Sequence, residues 1–212
     1  MKIKWFGHSC FLLTSEAGVK VLTDPFDNKV GYAVPRVETD IVTISHGHFD
    51  HNNKSMAKGK FTCFDSPGKY FEKGLEIQGI PTLHDNEGGT KRGKNIVFKF
   101  AIDGIRVCHC GDLGHIPTRE QVEELKGVDV LLIPVGGVFT IDYKDAYETV
   151  KLLKPVITVP MHFKTQQVTF ELDTVDRFLD LAGQPVRTGS TELELKKEDL
   201  GKTSGVVLLN YK

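Results

Sequence analysis

The chain lacks a recognisable way of pairing its few cysteines. The four are Cys10, Cys63, Cys108 and Cys110. None forms a C-x-x-C pair, and the single residue between Cys108 and Cys110 fits neither a zinc ribbon nor a thioredoxin-type motif. They are expected as buried free thiols in a reducing compartment. Charge of one sign is also missing: 27 basic residues meet 28 acidic ones, for a formal net charge of -1, and no long run of either sign occurs. That balance argues against a dedicated nucleic-acid surface or a polybasic membrane surface. No apolar run approaches transmembrane length. Gly7 and His8 interrupt the opening "MKIKWFGHSCFLL", so no signal peptide is expected and the expected compartment is the cytoplasm. Fixed-period repeats, low-complexity linkers and composition breaks are absent too. The 212 residues are therefore expected to form one domain, 1–212, able to bury a core without staples.

What is present is a change of pattern along the chain. The first half reads as short strands: "KIKWF", "CFLLTS", "KVLTD", "DIVTIS", "KFTCF" and "LEIQGI". "NIVFKFAID" and "IRVCHC" read as a hairpin turning at Asp103-Gly104. In the second half "TREQVEELKGV" is expected as a helix capped by Thr118 and stopped at Gly127. "YKDAYETVKLLKP" and "ELDTVDRFLDLAG" carry helical periodicity. "DVLLIPVGG" and "VITVPMHF" are apolar throughout, as strands covered on both faces would be. "TELELK" and "GVVLLNYK" close the chain as strands. Strands first and helices interleaved later indicate an α/β protein with two sheets.

The chain has eight histidines: His8, His46, His48, His51, His84, His109, His115 and His162. None is expected inside a helix, and most follow the end of a strand, where a rigid scaffold presents functional groups. The densest stretch is "TISHGHFDHNN", residues 43–53, which places His46, His48, Asp50 and His51 within six positions. Imidazole nitrogen and carboxylate oxygen are ligands for zinc, and also for iron or manganese. His46 and His48 lie two apart, so in extended chain both point to one side and can share a metal. Asp50 and His51 are adjacent and suit a second metal if the chain turns there. The loop alone cannot complete two sites. His84 in "PTLHD", Asp112 in "HCGDLGH" and His162 in "VPMHF" fit the remainder, with Asp112 the candidate bridge between two dications.

"HGHFDH" matches the H-x-H-x-D-H signature of the metallo-β-lactamase superfamily, and the chain resembles that superfamily in four further places, at Asp24, His84, Asp112 and His162. "LTDP" around Asp24 resembles its first motif, whose aspartate supports the metal loop from behind. "GDLG" and "PMHF" resemble its bridging aspartate and final histidine. "WFGHSCF", "LTDPF" and "RGKN" resemble the small hydrolases related to ascorbate-6-phosphate lactonase, with N-acylphosphatidylethanolamine phospholipase D a more distant likeness. The resemblance implies a four-layer αβ/βα sandwich of two mixed sheets flanked by helices, with a two-metal site at one edge. It implies that His46, His48 and His84 hold one metal, and that Asp50, His51 and His162 hold the other, with Asp112 bridging. His84 is preferred to His109 as the third histidine because His109, three residues before Asp112, lies in the same strand. Two divalent ions are expected, zinc foremost, with manganese or iron as alternatives.

Such a site would hold a bridging hydroxide that attacks an electrophilic carbonyl or phosphorus. The expected catalytic set is Asp50 and Asp112 together with His8, His109 and His115, one of which would protonate the leaving group. The stretch "HDNEGGTKRGKN", residues 84–95, is expected as a mobile flap whose Arg92 grips an anionic substrate. The expected substrate is a small ester, lactone, thioester or phosphodiester. Nucleic acid and membrane are not expected as partners, and a homo-oligomer stays open. An iron-dependent redox protein on the same fold and a non-catalytic metal-binding protein are the alternatives.

Overall fold

Apolar side chains alternate along the first strands and divide them between two cores. The computed structural model describes residues 1–211, so Lys212, the last residue of the expected strand "GVVLLNYK", lies outside the described residues. The strands are β1 (Lys2–Gly7), β2 (Cys10–Thr14), β3 (Lys20–Thr23), β4 (Val37–Glu38), β5 (Ile41–Thr43), β6 (Ala57–Lys58), β7 (Thr62–Phe64), β8 (Gly68–Glu72), β9 (Leu75–Leu83), β10 (Lys94–Ile102), β11 (Ile105–His109), β12 (Val130–Pro134), β13 (Ile157–Met161), β14 (Val186–Arg187), β15 (Glu192–Glu194) and β16 (Gly205–Leu208). Three α-helices accompany them: α1 (Arg119–Leu125), α2 (Tyr143–Leu153) and α3 (Asp176–Ala182). One sheet runs β15-β1-β2-β3-β5-β7 and the other β14-β16-β13-β12-β11-β10-β9-β8, with β4-β6 as a small separate pair.

In the first sheet Phe11, Leu13, Val21 and Ile41 face the core shared with the second sheet. Their neighbours Cys10, Leu22 and Val42 face the opposite side. This is the period of two that a pleated strand imposes. The outer side of the first sheet is closed by Phe26, Val30, Tyr32 and Met56 from loops and single 3-10 turns. The expected sandwich is present, but its helices are not evenly shared: no α-helix covers that outer side among the described residues. The second sheet differs. β12 and β13 are buried along their whole length, and Leu125, Ala146, Leu153 and Phe178 bring all three helices into the core around them.

The local signals work as physical chemistry requires. Thr118 caps α1 reciprocally with Gln121, and Gly127 at φ +72 follows its end. Asp142 caps α2 by accepting from the Lys144 and Asp145 amides. The β10–β11 hairpin turns at Asp103 and Gly104, both with positive φ. Among the described residues no helix is long and apolar enough to cross a membrane.

Candidate metal centre

Strand direction brings the functional residues to one edge. β1 and β3 are both antiparallel to β2, and β5 is parallel to β3, so the C-terminal ends of β1, β3 and β5 coincide. His8, Asp24 and His46 follow those ends. In the other sheet β9 and β11 are both antiparallel to β10, and β12 and β13 run parallel to β11. His84, Asp112 and His162 follow the ends of β9, β11 and β13. Two sheets therefore present three strand ends each to one crevice, the position at which parallel strands commonly offer functional groups. Gly111 lets the chain turn there: its φ is +54, and a Cβ would collide with Ser45.

The Asp112 carboxylate is the centre of the cluster. Its Oδ2 lies 3.3 Å from His84 Nε2, 3.4 Å from His162 Nε2 and 3.8 Å from His46 Nε2. Its Oδ1 lies 3.2 Å from His51 Nε2. Asp50 Oδ2 is 3.5 Å from the same His51 nitrogen. Three groups of side chains converge closely enough to share a cation: His46 with His48 and His84, His8 with Asp50, His51 and His162, and His46 with His51 and Asp112. The residues expected at each metal fall into the first two groups, and His84 takes the place left open between it and His109.

Hydrogen bonds behind the cluster fix which nitrogens face it. Asp24 Oδ1 accepts the Ser45 amide at 2.8 Å, and its Oδ2 accepts the Ser45 hydroxyl at 2.6 Å and His51 Nδ1–H at 2.8 Å. The Ser45 proton is thus committed to Asp24, so His46 Nδ1–H donates to Ser45 Oγ at 2.9 Å. One aspartate thereby sets the tautomer of two histidines and turns both Nε2 lone pairs into the crevice. Those atoms, His46 Nε2 and His51 Nε2, have no hydrogen-bond partner, and neither have Asp112 Oδ1 or the two ring nitrogens of His162. Buried polar atoms without partners are costly and rare. Grouped about a carboxylate, they fit divalent cations.

The charges agree. Burial opposes ionisation of Asp112, but His162 and His51 outweigh it and hold the carboxyl well below its usual range. Burial likewise opposes a negative Asp50, and His51 and His8 overcome it. Burial depresses His46 from 6.5 to about 3 and, with His162 adding to it, His8 from 6.5 to about 4. His51 alone is raised, because Asp112 and Asp50 outweigh its burial. Ionised Asp50 and Asp112, with His46 and His8 held neutral beside them, make the crevice a cation-binding environment.

Three expectations are corrected. His109 is fully buried but props the fold: Nε2–H donates to the Ser9 carbonyl at 2.7 Å and Nδ1 accepts the Gly111 amide at 3.2 Å. It has no proton or lone pair to offer. His115, close to Asp112 in sequence, spends both ring nitrogens on backbone, accepting from the Leu83 amide at 3.2 Å and donating to the Ile116 carbonyl at 2.8 Å. It lines a different groove with Pro81 and Gln121. Of the three expected proton donors only His8 is in the cluster, 3.1 Å from Asp50 Oδ2. Third, residues 84–95, expected as a mobile flap, are tied together by backbone hydrogen bonds. The Asp85 carboxylate accepts the amides of Glu87, Gly89, Lys91 and Arg92 and winds the segment around itself. Arg92 does reach the crevice, but its Nη2 donates to the Val138 carbonyl at 3.0 Å and its guanidinium lies over the Phe139 ring at 5.5 Å.

Two contributors escape a sequence reading. Ser45 is the relay between Asp24 and His46, and only its place beside His46 hints at it. Asn95 is buried in β10, where its Oδ1 accepts the Asp112 amide at 2.9 Å and its Nδ2 donates to the Cys110 carbonyl. It fixes the backbone that aims Asp112.

A family model described as a beta-lactamase superfamily domain matches residues 2–162. A Thermoplasma acidophilum protein named as a metal-dependent hydrolase is 33% identical over 210 residues, covering 86% of this chain and 91% of that one. One of the same name from Pyrobaculum calidifontis is 35% identical over 193 residues, covering 78% and 85%. The crystal structure of a Thermotoga maritima protein assigned to the Zn-dependent hydrolases of the metallo-β-lactamase superfamily superposes with a TM-score of 0.83 at 45% identity, covering 98% of this chain and 97% of that one.

Proposed function

The chain belongs to the beta-lactamase superfamily and is a metal-dependent hydrolase, and from that premise we propose that it cleaves a small ester, lactone, thioester or phosphodiester at a two-metal site. The observation that carries this reading is the set of unpartnered buried atoms, His46 Nε2, His51 Nε2, both nitrogens of His162 and Asp112 Oδ1, in one crevice. His46, His48 and His84 would hold one ion, Asp50, His51 and His162 the other, and Asp112 would lie between them. The imidazole and carboxylate donors favour zinc, as does the description of the Thermotoga maritima relative as Zn-dependent. Divalent ions held there supply the Lewis acidity that polarises a scissile group and lowers the pKa of water toward neutrality.

The chain's own groups do the rest. Asp24 holds His51 and, through Ser45, His46 with their lone pairs aimed inward. Asn95 holds the Asp112 backbone. His8, neutral at physiological pH, keeps a proton at Nε2 against the ionised Asp50 and so fixes that carboxylate. It is the proton donor nearest the reacting groups. A crevice of 410 Å³ opens over His48, Asp50, His84 and Asp112 and gives a small substrate room beside them.

Calorimetric titration of zinc into chelator-stripped protein, followed by proton-release assays on lactones, thioesters and phosphodiesters, tests the reading. Two equivalents bound and hydrolysis of one substrate class are expected. Protein that binds no metal would overturn it.

A further inference from the structure

Three loops lean phenylalanines over the cluster from different directions. Phe49 comes from the loop after β5, Phe139 from the loop after β12 and Phe170 from the segment after β13, and all three line the crevice with Arg92. Phe49 remains 46% exposed and Phe139 37%, in a position where burial would be favourable. Phe139 and Phe170 meet edge to face at 5.9 Å, and Phe170 packs its edge on His8 at 5.6 Å. The apolar wall is therefore continuous with the candidate metal ligands.

The wall is built at a cost. Val138 has φ +58, a conformation that a β-branched side chain strongly resists. Strain of this kind persists only where its surroundings impose it. Here they do so from both ends of the loop: Asp173 donates to the Gly136 carbonyl at 2.8 Å and Ile141 donates to the Leu113 carbonyl at 2.8 Å. A Cβ at Gly136 would collide with the His162 carbonyl, so the loop is seated directly on the cluster. Arg92 closes the arrangement through the Val138 carbonyl and the face of Phe139. Arg92 is in turn held by its own amide on Asp85 at 2.7 Å.

We propose that Phe49, Phe139 and Phe170 form a cradle for a compact aromatic or branched apolar group next to the scissile bond, so that the substrate is a carboxylic ester or thioester bearing such a group. The inference rests on the hydrolase reading above and narrows it. Arg92 is a positioning residue for Phe139: its Nη2 donates to the Val138 carbonyl and its guanidinium lies over the ring. Hydrolysis adds water across the acyl bond, the carbonyl carbon gaining oxygen and the alcohol or thiol leaving with a proton.

The test uses zinc-loaded protein and three esters, methyl acetate, methyl phenylacetate and benzyl acetate, followed by proton release. At least one ring-bearing ester should exceed methyl acetate in kcat/KM by about tenfold or more, since seating a phenyl ring is a large apolar burial. Phe139→Ala and Phe170→Ala should bring that ester to the methyl acetate level with zinc content unchanged. Phe71→Ala, 73% exposed and away from the crevice, should change nothing. Arg92→Ala should raise KM for the ring-bearing ester more than it lowers kcat, and Arg92→Lys, which can still donate to Val138, should restore part of the loss. Saturation-transfer NMR with phenylacetamide gives a readout free of turnover: the ring signal should appear with loaded and with stripped protein and vanish in Phe139→Ala. Ester hydrolysis without a ring preference, or a preference that survives both phenylalanine substitutions, overturns the cradle and leaves the hydrolase standing. A ring signal lost in Phe139→Ala, with none of the esters cleaved, sinks the ester assignment and leaves the cradle.

Discussion

His109 and His162 are the same residue type, both fully buried; His109 ends β11 and His162 follows β13, strands of one sheet separated only by β12. Their ring nitrogens have opposite fates. Both nitrogens of His109 are satisfied by backbone, and neither nitrogen of His162 is. The fold could have absorbed either ring as a prop. That it absorbs one and leaves the other open beside Asp112 separates a structural histidine from a ligand better than burial, residue type or distance along the chain.

The comparison breaks most sharply at its centre. Asp112→Asn keeps the shape and removes the charge that four histidines face. It should abolish metal binding in both groups and reduce turnover by more than the 10- to 100-fold loss typical of outer residues of metal sites, roughly a thousandfold or beyond. His109→Asn should instead leave metal stoichiometry intact and lower stability by about 1–3 kcal/mol for each backbone group it strands. Elemental analysis beside thermal melts reads both. Equal metal loss in the two variants would erase the distinction drawn here.

Asp24 comes next. It touches no substrate, yet it directs two Nε2 atoms at once, so Asp24→Asn should weaken zinc affinity by about 10- to 100-fold. Because the Ser45 relay reaches only His46, Ser45→Ala should cost less than Asp24→Asn in the same titration. The reverse order would show that the relay does not set the tautomer.

A smaller effect is expected from pH. His8 and His46 are held neutral, at about 4 and about 3, against 6.5 in the unfolded chain. Below pH 6.5 the unfolded chain takes up protons that the folded one refuses, so their contribution falls as pH drops toward 4. His51, raised well above 6.5, keeps its proton in the folded state, so it favours folding as pH falls through 6.5 and offsets a minor part of that loss. Stripped protein should therefore lose about 5 °C or more in Tm between pH 7 and pH 5, at about 2–4 °C per kcal/mol for a chain of this size. Zinc-loaded protein should show a steeper profile, since bound metal keeps protons off its ligands in the folded state while the unfolded chain still takes them up. A stripped protein whose Tm is flat between pH 7 and pH 5 would mean that His8 and His46 are not the groups titrating.

Much of this was legible in the sequence. The histidine loop, the helix caps and the Asp103-Gly104 turn are local chemistry, and a linear reading finds them. The β8–β9 hairpin was missed because it turns on Lys73-Gly74, both with positive φ, where no Asn or Asp announces it. His8, His109 and His115 could not be told apart in sequence, because partnership across sheets is invisible there. The glycines of residues 84–95 suggested freedom, and only the fold shows four amides gathered on Asp85. The loop cover over the first sheet escaped for lack of any periodic signal.

The placement of the proposed ligands after four strands also sets an order in time. His46 to His51 leave the ribosome together, but His162 follows 111 residues later. At synthesis rates of about 5–20 residues per second, that interval lasts roughly 6–20 s. During it the nascent chain displays a dense metal-binding loop with no sheet to complete it. Whichever cation the cell makes available at that moment meets an open, unselective set of ligands, and discrimination by geometry begins only when β13 docks and brings His162 into place.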